Sequence, residues 1–147
     1  MDLIIGYGNS MRSDDGAGIY AAQRIADENL PGVVVITMHQ LHVEILEDAV
    51  RYDRIILVDA SEDGEAVCLR KVGTASSGEM TSTHHLSAEL FADLARIVYG
   101  RDLNLYLCSI KGKNFEMGDH LSRAVRSRAQ KAVELIHQLI LGDLAYA

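Results

Sequence analysis

The chain has 147 residues, enough for one domain (1–147) with a substantial apolar core. Its 48% hydrophobic content and single proline exclude a disordered segment, and a formal charge of −7 argues against a nucleic-acid partner. The two cysteines, Cys68 and Cys108, lack a C-x-x-C spacing and read as free thiols of a reducing cytoplasm.

Taken in chain order, Met1-Asp2-Leu3-Ile4-Ile5-Gly6 runs straight into a strand over Leu3 to Tyr7, with no basic segment of a secretory signal. Helical periodicity follows from Ser13 or Asp14 to about Asn29, with Ile19, Ala22, Ile25 and Ala26 on one face. Pro31-Gly32 punctuates, Val33 to Met38 reads as a second strand, and Val43, Leu46, Ala49 and Val50 mark a second helix. Ile55 to Val58 is continuously apolar, as a central parallel strand buried on both faces requires. Val67 to Val72 alternates weakly, like an edge strand, and Gly73 to Ser82 is a polar loop. Leu86, Leu90, Leu94, Ile97 and Val98 define a third helix, Leu103 to Ile110 the last strand, and Val125 to Ile140 a closing amphipathic helix. No apolar run reaches the ~20 residues of a membrane helix, so no membrane partner is expected. Alternating strands and helices imply an α/β fold: a three-layer sandwich with a largely parallel five-stranded sheet and helices on both faces.

The first strand-to-helix turn, Gly6-Tyr7-Gly8-Asn9-Ser10-Met11-Arg12-Ser13-Asp14-Asp15-Gly16-Ala17-Gly18, looks like a phosphate loop but lacks its chemistry. The third glycine of a dinucleotide fingerprint is replaced by Met11, and no Gly-Lys-Ser/Thr follows. Two adjacent carboxylates stand where a pyrophosphate would dock, and they repel it. The turn suits a cation, and no nucleotide is expected.

Ligands of such sheets bind beyond the carboxyl ends of the strands. Asp15, Asp59 and His84 fall there, and two carboxylates with one imidazole make an incomplete shell for a divalent transition metal. Each also has a structural reading: Asp14 and Asp15 as helix N-terminal caps, Asp59 as a cap or ion-pair partner, His84 as a solvated loop residue beside His85. His39 and His42 are within reach of the same crevice. The residues by themselves support an acidic, histidine-bearing cleft at the sheet's carboxyl edge. Arg123, Arg126, Arg128 and Lys131 read as a solvated face of the last helix.

The pattern Gly6-x-Gly8-Asn9-x4-Asp14-Asp15-Gly16-x-Gly18 resembles the opening motif of the [NiFe]-hydrogenase maturation endopeptidases. The likeness continues through Gln40-Leu41, Val58-Asp59-Ala60, Ser82-Thr83-His84-His85-Leu86 and Gly118-Asp119-His120-Leu121-Ser122, in the expected order along nearly the whole chain. The chain departs from the family at Asp15, where Glu is frequent, at Thr83, where many members have Pro, and at His42-Val43, where Thr-Pro is common. The resemblance implies a five-stranded α/β peptidase that removes a short C-terminal extension from the hydrogenase large-subunit precursor once nickel is inserted. It assigns metal contact and catalysis to Asp15, Asp59 and His84, with the nickel carried by the substrate. A non-catalytic chaperone or metallochaperone docking on the metal-loaded precursor is the competing expectation.

Overall fold

The computed structural model describes residues 1–73 and 86–142. His84, His85 and the polar loop beyond Gly73 lie outside the described residues. Among the described residues, nine strands and α-helices follow one another: β1 (Asp2–Tyr7), α1 (Ala17–Ala26), β2 (Val33–Met38), α2 (Leu46–Ala49), β3 (Arg54–Ser61), β4 (Val67–Lys71), α3 (Ala88–Tyr99), β5 (Leu105–Lys111) and α4 (Arg123–Ile140). The strands form one sheet in the order β2-β1-β3-β5-β4. All neighbours are parallel except β4, the edge strand, which runs antiparallel to β5.

Side-chain alternation along the strands divides the core into two layers. Ile4, Ile56, Val58, Cys108 and Ile110 face α1 and α4, whereas Leu3, Ile5, Ile55, Leu57 and Leu105 face α2 and α3. The apolar run of β3 is explained by this: Ile55 to Val58 are fully buried because helices cover both faces of the central strand. Cys68 and Cys108 are both free thiols, and burial, with Cys68 nearby, pushes the Cys108 thiol up to about 12.

The first three helices differ from the periodicity. The first helix is preceded by a separate 3-10 turn over Ser13–Gly16 and ends at Ala26, with Ala26 exposed. The second helix is a single turn. In α3 the buried face is Ala88, Phe91, Ala92 and Ala95, while Ile97 and Val98 are exposed. That helix is apolar around most of its circumference, so spacing alone does not select the face that packs. On α4, Arg123, Arg126 and Lys131 are exposed as expected, but Arg128 is half-buried and donates to the Lys111 carbonyl at 2.7 Å.

Candidate active site

Parallel pairing puts the carboxyl ends of β1, β2, β3 and β5 on one edge of the sheet. A cleft of about 530 Å³ opens there, lined by Asp15, Asp59, His39, His42, Glu44 and Glu62 among others. Both carboxylates expected at the site therefore reach it, and so do both histidines that follow β2.

Two glycines make the convergence possible. Gly8 leaves β1 with φ +144°, and a Cβ there would stand 2.2 Å from the Asp15 carbonyl oxygen. The space lets Asp15 fold back, so that its Oδ2 accepts from Asn9 N at 2.7 Å. Gly18 performs the complementary task on α1, where a Cβ would lie 2.3 Å from the Val58 carbonyl oxygen and 3.0 Å from Asp59 Cα. The first turn of α1 is thus seated against the end of β3. In a dinucleotide fold such glycines admit a pyrophosphate; here they admit acids.

Burial pushes the Asp59 carboxyl up to about 7, and the charge of Asp15 adds to the rise. Hydrogen bonds from the Ala60 amide and the Tyr7 hydroxyl oppose it. Tyr7, the last residue of β1, donates to Asp59, and burial with the adjacent Asp59 charge holds its own phenol well above the usual range. Tyr7 escaped the sequence reading because nothing in a strand pattern reveals the partner of its last side chain.

Asp14 does not cap its own helix. It is fully buried, and its carboxylate accepts from Lys113 N (2.8 Å), Asn114 N (2.8 Å), Ser122 N (2.7 Å) and Ser122 Oγ (2.6 Å). Burial disfavours its charge, yet these hydrogen bonds from Ser122, Lys113 and Asn114 outweigh that and hold its carboxyl below the usual carboxylate range. Asp14 therefore clamps the loop between β5 and α4 against the first turn, and Asp15 alone of the pair faces the cleft. Ser13, with φ +53°, makes the bend that separates them, its Oγ donating to the Glu116 carbonyl at 2.9 Å.

Neither a protein-family model nor a curated protein matches the sequence. Solved structures do match along nearly the full length. The [NiFe] hydrogenase maturation protease HybD from Thermococcus kodakarensis is 25% identical with a TM-score of 0.73, covering 94% of this chain and 97% of its own. The maturation protease HycI from Thermococcus kodakarensis KOD1 is 23% identical with a TM-score of 0.74, covering 94% and 90%. The hydrogenase maturating endopeptidase HybD from E. coli is 18% identical with a TM-score of 0.77, covering 97% and 93%. The last two bear on the fold alone.

Along nearly its whole length the chain is similar to the [NiFe] hydrogenase maturation proteases.

On this likeness the chain is a peptidase, and its cleft is the place to seek the chemistry. Among the described residues, no group of three or more His, Cys, Asp and Glu side chains is arranged to hold a metal ion. Asp15 and Asp59 provide two oxygen donors, one oxygen of Asp15 being engaged by Asn9. Two hard carboxylates and open positions suit a metal that arrives with ligands of its own. The third expected ligand, His84, lies outside the described residues. No helix among the described residues is long and apolar enough to cross a membrane.

Proposed function

We propose that this maturation protease removes the C-terminal extension of a nickel-loaded [NiFe]-hydrogenase large-subunit precursor in the cytoplasm. The observation that carries the reading is the convergence of Asp15 and Asp59 in one cleft at the carboxyl edge of the sheet. The nickel is substrate cargo. Asp15, Asp59 and His84 complete its coordination and thereby draw the scissile peptide against the protein. A precursor without nickel leaves the carboxylates facing each other with no counter-ion and binds poorly. Cleavage then reports that the metal has been inserted.

A carboxyl that titrates near neutrality is suited to general acid–base work, and Asp59 is such a group. On this reading Asp59 exchanges a proton at the scissile peptide, Tyr7 orients its carboxylate, and Asp15 raises its basicity.

The test is a processing assay on nickel-loaded precursor with Asp15→Asn, Asp59→Asn and His84→Ala. Each is expected to lower the cleavage rate about 100-fold or more while the far-ultraviolet circular dichroism stays native. Unimpaired cleavage by all three would remove the site assignment.

A further inference from the structure

The cleft carries a charge that a purely acidic, metal-reading site does not require. Arg12 stands on the same turn as Asp15 and lines the same cleft. Its backbone is fixed in three ways. Arg12 N donates to the Asn9 carbonyl at 3.0 Å, Asp15 N donates to the Arg12 carbonyl at 3.1 Å, and the residue forms a parallel bridge with Gly118. Its Nε donates to the carbonyl of Phe115, another lining residue, at 3.2 Å. The head group is thereby tethered at one nitrogen and keeps both terminal nitrogens.

Four carboxylates, those of Asp15, Glu44, Asp59 and Glu62, line this cleft, and Arg12 is the one Lys or Arg among its described lining residues. Among the described residues, it forms no ion pair with any of the four. An arginine placed to neutralise the acids would be bonded to one of them. A guanidinium with a planar pair of donors left over matches a carboxylate in end-on geometry. Every other charged wall of the cleft repels such a group.

We infer that Arg12 is a substrate-positioning residue that receives a carboxylate of the precursor's C-terminal segment. The inference rests on the peptidase reading above. A single arginine among four acids gives the cleft one point at which a carboxylate is attracted, and that point fixes where this part of the peptide lies. The carboxylate comes either from an acidic side chain of the extension or from the chain terminus.

Steady-state processing by wild type, Arg12→Ala and Arg12→Lys tests this on three nickel-loaded precursors. One is unmodified, one has the acidic residues of its extension changed to their amides, and one is amidated at its C-terminus. Arg12→Ala is expected to raise KM for the unmodified precursor by about tenfold or more and to lower kcat far less. Arg12→Lys recovers part of the loss, because charge returns without the fork. Neutralising the recognised carboxylate raises the wild-type KM by the same factor and leaves Arg12→Ala unchanged, and the precursor that does so names the source. An unaltered KM in Arg12→Ala overturns the inference. So does an equal loss on all three precursors with a lowered melting temperature, which would mean that Arg12 acts only by tethering Phe115. Precursor binding, followed by fluorescence anisotropy in the same samples, reads Arg12 independently of cleavage. Wild-type protein that binds but never cuts would refute the peptidase reading while leaving the Arg12 comparison intact.

Discussion

If Asp59 has the proposed role, function and stability pull in opposite directions on it. In an unfolded chain its carboxyl ionises near 3.8, whereas in the fold burial keeps the proton on until about 7. Between those values the unfolded state gives up its proton first, so stability falls as pH rises, and the penalty is complete above the folded value. Asp59→Asn is expected to raise the melting temperature at about pH 8, by a free energy on the order of a few kcal/mol, and to bring no such gain at about pH 3. Thermal melts of the two proteins at both pH values check this; equal shifts would contradict the burial of an ionisable carboxyl. Asp15 and Asp59 are legible in the sequence because the alternation of apolar runs puts one just after β1 and the other beyond the apolar run of β3, in that strand's last residues. Tyr7 and Arg12 are not, since the side chain that faces across a turn is set by pairing register and loop geometry. His84 is a candidate from its place in the loop after β4, the resemblance selects it over His85, and it lies outside the described residues.

Between elements, the decisive contact is Asp14 on the loop that joins β5 to α4. Removing its carboxylate orphans the amides of Lys113, Asn114 and Ser122 together with the Ser122 hydroxyl. Asp14→Ala is expected to cost about 3 kcal/mol or more and to lower the melting temperature by roughly 10 °C. Its folded carboxyl is held below its ordinary 3.8, so its contribution is present above that value and is lost as pH falls through the folded one. The gap between wild type and Asp14→Ala should therefore close on acidification. Melts that differ as much in acid as at neutral pH would contradict this assignment. In the sequence Asp14 reads as a local helix cap, because an acid in a first turn has that role by default. The long-range partner, Ser122, lies 108 residues away and leaves no local trace. The same limit explains α3, where Leu90, Leu94, Ile97 and Val98 form a convincing stripe and yet Ile97 and Val98 are exposed, while Phe91 and Ala95 are fully buried.

For the whole molecule, a sheet that is parallel in four of its five strands brings every useful strand end to one edge. That is why an acid from the turn after β1 meets one from the end of β3. The alternation of strands and helices, the central position of β3 and the edge position of β4 were all readable, because continuous and alternating apolar patterns report burial on two faces and on one. The antiparallel direction of β4 was not, since a run of five residues looks the same in either direction. Intact-mass spectrometry of a nickel-loaded large-subunit precursor, before and after incubation with this protein, tests the central claim most directly. Loss of a defined C-terminal fragment from the nickel-loaded form, with the nickel-free form left whole, is the expected result. A precursor that binds and keeps its full mass would contradict the claim and identify a chaperone.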